Sequence, residues 1–231
     1  MRLWRSRPEP AVVTNPELDH KPRRLVQHDP NMPAGDALRI RRKSPGIQSL
    51  FNRLADSTGL NILDLGMLSQ RTPALVCSLG HSIYNASLLH SFDAARAANP
   101  SNETGMERQA ASEFVRNHLD FRPDTFHGVL AWDVLQHLDK AAMLSTIAHL
   151  AKILRPDGTM LCLFHRKSTV ATIPVLNCDV DSTSTFWIKE TDHRESSREF
   201  SVRELESLFP QFQGIHFYLM QDSLHEVLVL N

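Results

Sequence analysis

Cysteine is scarce and scattered in this 231-residue chain. Cys77, Cys162 and Cys178 form no CxxC pair. An odd number of widely spaced thiols excludes a disulfide framework and a zinc knuckle, and leaves free thiols in a reducing compartment as the expectation. Long hydrophobic runs are also missing, since no apolar stretch approaches the roughly 18 residues that span a bilayer. The basic start MRLWRSRPEPAVV is not followed by the apolar core of a secretory signal. The expected location is therefore cytoplasmic, without a membrane span. There is no P-loop and no GxSxG elbow. Twelve histidines are present, yet no HExxH, HxH or Cys/His pair stands at ligand spacing, so no metal is expected. No internal repeat appears.

The composition is that of a globular protein, with 42% hydrophobic and 22% charged residues, enough for a core without disulfides or metals. Charge and proline are unevenly spread. Residues 1–45 hold ten Lys or Arg against five Asp or Glu, the remainder 15 against 21, and seven of the 13 prolines lie in that first segment. Proline at this density blocks helix interiors and sheet ladders, so 1–45 reads as an extended, disordered arm. Its patch RIRRK invites nucleic acid or acidic lipid. Neither aromatic interleaving nor a basic folded domain supports such a partner, and the arm reads as a solvated linker.

From Pro45 the spacing becomes informative. Ile47, Leu50, Phe51 and Leu54 predict a short amphipathic helix, and NILDLG a buried strand ending in a turn. TPALVCSLG follows as a helix, with Thr72 suited to the N-cap, Pro73 to the first position and Gly80 to the C-terminal cap. HSIYN completes a β-α-β unit. SLLHSFDAARAA is helical, and ERQAASEFVRNHLDF runs from a helix into a third strand. HGVLAWD is a buried strand, Asp139 caps KAAMLSTIAHLAKILR, PDG turns the chain and TMLCLFH is the next strand. SVRELESLFP is a helix capped by Ser201, and the close spacing of GIHFYLMQ and HEVLVLN demands an antiparallel hairpin. The stretch 166–199, rich in Ser, Thr and Asp around TFWIKET, is too long for a link and is expected to form a small flap or a short strand pair over the sheet edge. Alternating strands and helices imply an α/β doubly wound sheet with helices on both faces.

On ILDLG, on FHGVLAWDVLQHLDKAAMLSTIAHLAKILRPDGTMLCLFH and on the closing hairpin, residues 46–231 resemble the class I S-adenosylmethionine-dependent methyltransferases. The resemblance implies a Rossmann-like, seven-stranded sheet, mostly parallel, with an antiparallel C-terminal hairpin. It also implies a cofactor across the carboxyl ends of the strands. Asp64 and Gly66 would then meet the methionine end. Asn85 and Ser87 would stand at the ribose, and Asp120, Phe121, Ala131 and Trp132 around the adenine. His137, just past the fourth strand, is the candidate base, and Asp133 would bond backbone at the strand end. Trp187 and His193 sit in the flap, as substrate-pocket or packing residues.

The chain departs from the family pattern at two places. The family's glycine-rich turn reads Gly66-Met67-Leu68-Ser69-Gln70 here, so Met67 and Leu68 are candidates for filling the cofactor's place. An acid is expected about 20 residues past the turn, for the ribose hydroxyls. Ala86 stands there, and no Asp or Glu occurs between Met67 and Phe92. The Asn-Pro-Pro-aromatic element of amino-group methyltransferases and a Pro-Cys nucleophile are absent too. Two expectations follow. One is an S-adenosylmethionine-dependent methyltransferase acting on a small molecule; the other is a catalytically silent protein of the same fold, serving as a binding or scaffold module. No motif specifies the acceptor or an oligomeric state.

Overall fold

The computed structural model describes residues 39–98, 106–166, 172–195, 200–219 and 224–231. Residues 1–38, 99–105, 167–171, 196–199 and 220–223, which include most of the expected arm and parts of the expected flap, lie outside the described residues. The principal sheet is built from β2 (Asn61–Asp64), β3 (Ser82–Asn85), β4 (Phe126–Trp132), β5 (Leu154–His165), β8 (Gly214–Leu219) and β9 (Leu224–Leu230). Its spatial order is β3-β2-β4-β5-β9-β8. The first four run parallel, and β9 and β8 form the antiparallel hairpin beside β5.

Period-two alternation sorts the apolar strands onto two faces. Val129, Ala131, Met160, Cys162 and Phe164 face one core with the helices α3 (Leu88–Ala98), α4 (Arg108–His118), α6 (Lys140–Ile153) and α7 (Val202–Leu208). Leu130, Trp132, Leu161 and Leu163 face a second core with α1 (Pro45–Leu54) and α2 (Arg71–Ser78). The caps fall where side-chain chemistry predicts. Asp139 accepts from Ala142 N, Ser201 and Glu204 form a capping box, and Gly80 turns the end of α2 at φ +80°.

Three expectations need correction. The sheet has six strands among the described residues, not seven, because the segment after α4 pairs with nothing. Pro123 follows at once and offers no N–H for a ladder. Phe121 instead packs edge-on against Phe126, with ring centroids 4.8 Å apart, and against Tyr84 of β3 at 6.0 Å. Next, the end of the arm is built into the fold. Arg39–Lys43 is β1, paired antiparallel with β7 (Thr185–Glu195), which pairs in turn with β6 (Thr172–Ser182). The flap is thus a long hairpin in a second sheet ordered β1-β7-β6. Behind β1, the fully buried Glu226 of β9 accepts from Ser44 Oγ at 2.8 Å and Gly46 N at 2.9 Å, pinning the entry of α1 to the sheet. Last, Thr72 is not an N-cap but lies inside the first turn of α2, fully buried, and its partner comes from the flap.

Candidate functional site

Strand order reverses between β2, whose chain leads outward to β3, and β4 on its other side. In doubly wound sheets the crevice above that point is where ligands bind. Here it holds a cavity of about 150 Å³, walled by Leu65, Gly66, Met67, Ser87, Asp133 and Leu176 among others. Pockets that enclose drug-sized ligands occupy about 300–1,000 Å³, so this space takes only a fragment of one. What reduces it is β6.

The hairpin crosses the carboxyl ends of β2 and β4 and is bonded at both. Asp179 of β6 accepts from Thr72 N at 3.0 Å and Thr72 Oγ1 at 3.2 Å, while Val180 N donates to Thr72 Oγ1 at 2.9 Å. A carboxylate on backbone N–H at the start of α2 occupies the place where such folds receive a ligand's anionic group. At the other end Leu176 N donates to Asp133 Oδ2 at 2.9 Å. Below the strand, Phe186 stacks on Trp132 with centroids 5.5 Å apart.

The residues expected at the methionine end serve the closed arrangement. Asp64 is buried, and its Oδ1 accepts from Gly66 N at 2.9 Å and Trp132 Nε1 at 2.8 Å. Burial pushes the Asp64 carboxyl up to about 6, the two hydrogen bonds opposing and nearby Asp179 assisting. Gly66 is required by Trp132, since a Cβ there would stand 2.6 Å from the indole Cδ1. Met67 and Leu68 line the cavity but stay 47% and 73% exposed, so they do not close it. Obstruction comes from the flap rather than from the turn.

Where the ribose was expected, Asn85 spends both halves of its amide inside the protein. Its Nδ2 donates to Gly66 O at 3.0 Å, and its Oδ1 accepts from Ser87 Oγ at 2.9 Å. Ser87, at φ +42°, lines the cavity, whereas Ala86 packs against the core. The residues expected at the adenine are not gathered there. Asp120 is exposed, Phe121 packs with Phe126, Ala131 is fully buried, and Trp132 is turned to the second core.

Trp132 ends β4 at φ +51°, a rare conformation for a bulky residue, held by Asp64 on its indole and Phe186 on its ring. That bend delivers Asp133 to the cavity wall. Asp133 Oδ2 also accepts from His137 Nε2 at 2.9 Å, and His165 Nε2 stands 3.7 Å away. Burial acts to raise the Asp133 carboxyl, but His137, His165 and the Leu176 N–H outweigh it, and the carboxyl lies below its ordinary range. The expected backbone bond of Asp133 is present. His137 sits behind Asp133 with a side chain 1% exposed, and it does not line the cavity.

In the flap, Trp187 Nε1 donates to Asp181 at 2.9 Å, with Arg41 and Arg71 over its ring, so it packs the outer sheet. His193 lies on the exposed end of β7. Sequence reasoning missed Asp179, Leu176 and His165. Only His165 left a sign, as the last residue of TMLCLFH at the carboxyl end of the strand beside β4.

No protein-family model matches the chain, and no curated protein matches it. Solved structures do. A Burkholderia thailandensis 1,6-didemethyltoxoflavin-N1-methyltransferase, bound to 1,6-didemethyltoxoflavin and S-adenosylhomocysteine, is 19% identical, covering 80% of this chain and 75% of its own at TM-score 0.44. A S-adenosylmethionine-dependent methyltransferase of Methanosarcina mazei is 14% identical over 78% of this chain and 96% of its own, at TM-score 0.46. A glycopeptide N-methyltransferase complexed with S-adenosylhomocysteine is 13% identical over 81% and 90%, at TM-score 0.41. These are proteins the chain is similar to; the reading of its fold rests on its own strand order.

Proposed function

We propose that this chain is a methyltransferase of the class I type whose cofactor crevice is closed by its own β6–β7 hairpin, and that S-adenosylmethionine-dependent transfer to a small-molecule acceptor takes place when the hairpin lifts. The observation that carries the reading is the cavity at the reversal of strand order, bounded by the Gly66 turn, Ser87 and Asp133 and bridged by β6. Lifting β6 gives up the bonds to Asp179 and Asp133, each worth about 1.5–3 kcal/mol as a hydrogen bond to a charged group. The buried apolar face of the hairpin adds to this, so an opening cost of at least about 3 kcal/mol divides apparent affinity by roughly 10² or more. The cofactor is therefore held weakly by the resting protein.

Methyl transfer is an in-line displacement for which alignment supplies much of the acceleration. Asp133 is a poor base, its carboxyl being held below the ordinary range. His137 reaches the cavity only through Asp133. The arrangement favours an acceptor whose nucleophile carries a free lone pair at neutral pH.

Calorimetry with S-adenosylmethionine and S-adenosylhomocysteine, on the natural protein and on Asp179→Ala, tests this. Weak binding to the former and at least about tenfold tighter binding to the latter is the expected result. Absence of binding to both at millimolar ligand sinks the enzyme reading. A second reading then stands, a silent binding or scaffold module. The observation that favours it is the ribose end, where an internally bonded Asn85 replaces a carboxylate.

A further inference from the structure

Three side chains that no local motif joins meet behind the crevice wall. Asp133 follows the last residue of β4, His137 ends the short helix α5 (Val134–His137), and His165 ends β5. One ligating atom from each lies within 4.8 Å of the others. All three side chains are at most 5% exposed. Asp133 and His137 are already in contact. His165 is the informative member, because its buried Nε2 has no hydrogen-bond partner. A buried polar nitrogen without a partner costs about 1–3 kcal/mol, and native proteins rarely leave one unless an ion or water completes it.

We propose that Asp133, His137 and His165 form a binding site for a divalent transition-metal cation of the zinc class. Two imidazoles and a carboxylate are the donor set such ions take, with a fourth position left for water or another ligand. Donor atoms about 2.0–2.1 Å from a tetrahedral ion lie about 3.3–3.4 Å apart. The Asp133 oxygen stands 2.9 Å from His137 Nε2 and 3.7 Å from His165 Nε2, on either side of that value. The two imidazoles need to close by about 1.5 Å at most, within reach of a side-chain torsion. The cation takes the place of the hydrogen that now joins Asp133 to His137.

Surrounding bonds hold the Asp133 carboxylate and the backbone that carries His165. Leu176 N holds the Asp133 carboxylate, and the backbone N of His165 donates to Gln136 Oε1 at 2.7 Å. Since Asp133 also lines the cavity, the ion would border the crevice. The site does not depend on whether that crevice accepts S-adenosylmethionine.

The test titrates Zn²⁺ into the metal-stripped full-length protein by calorimetry, with Co²⁺ in parallel for its visible spectrum. One ion bound at micromolar or tighter affinity, a Co²⁺ spectrum of nitrogen and oxygen ligation, and about 100-fold weaker binding by His165→Ala are expected. No binding of either ion, or unchanged affinity in His165→Ala, overturns the proposal. Should that variant fail to fold, the natural protein decides by its imidazole ¹⁵N resonances. Zn²⁺ must move the Nε2 signals of both His137 and His165, and stationary signals refute the site.

Discussion

The principal sheet and the sheet that caps it are built on different terms. In β4, β5 and β9 both faces are buried, and successive residues feed two cores, as Leu130 and Val129 or Leu161 and Met160 do. In the cap only one face is apolar. Leu176, Cys178, Val180, Phe186 and Ile188 point down onto the second core, while Arg39, Arg41, Asp181 and Lys189 occupy the outer side and the edge. The scaffold is therefore held mainly by apolar area on two faces, whereas the cap is held by one apolar face and a few charged anchors. An element attached in that way can open below the cost of global unfolding.

Removing a large ring from each sheet tests the distinction most strongly. Phe164→Ala in β5 and Phe186→Ala in the cap should each cost about 3–5 kcal/mol. For Phe164 the loss should appear in urea unfolding and in hydrogen exchange throughout the sheet. For Phe186 exchange should accelerate first in β6 and β7. Uniform acceleration in both variants would show that the cap does not open separately.

Asp64, at the seam, gives an effect of up to about 3 kcal/mol that depends on pH. Its carboxyl rises from the ordinary 3.8 to about 6 in the folded protein, so folding takes up a proton between those values. The associated stability is fully present below about pH 4 and lost as pH rises through 6, at about 1.36 kcal/mol per unit. Asparagine keeps the acceptor for Gly66 and Trp132 without the charge. Stability measured by denaturant from pH 4 to 7 should therefore fall further in the natural protein than in Asp64→Asn. A constant difference would refute the shift.

Asp179→Ala should lower stability by about 1.5–3 kcal/mol through loss of the α2 anchor. A change confined to the exposed-residue range, below about 0.5 kcal/mol, would mean that the anchor contributes little. Smallest is Asn85→Asp. A carboxylate facing Gly66 O should leave that carbonyl and turn to a ribose diol, raising S-adenosylhomocysteine affinity about tenfold, or about 1.4 kcal/mol. Unchanged affinity would place the ribose elsewhere.

Legibility followed the range of the interactions. Asp139, Ser201 and Gly80 were readable because caps act within three or four residues. HGVLAWD and TMLCLFH were readable as strands because their apolar residues are buried on both faces of the sheet. Arg39–Lys43 read as solvated arm because its partner β7 lies about 145 residues away in sequence. Thr72 read as a cap because its hydroxyl suits one, and nothing nearby announces Asp179, 107 residues on. The acid-position rule pointed to Ala86, but that side chain packs against the core, and Ser87 is the neighbour that lines the crevice.

By itself, then, the sequence determined the α/β scaffold, the turn at Gly66 and the absence of any Asp or Glu between Met67 and Phe92. These depend on periodicity and on residue identity at single positions. Only the tertiary structure decided that a hairpin bridges the crevice, that Trp132 faces Asp64 instead of a ligand, and that His165 joins Asp133 and His137. Those contacts join residues 28 to 107 positions apart, and contacts over such separations are fixed by packing of the whole chain, not by local preference.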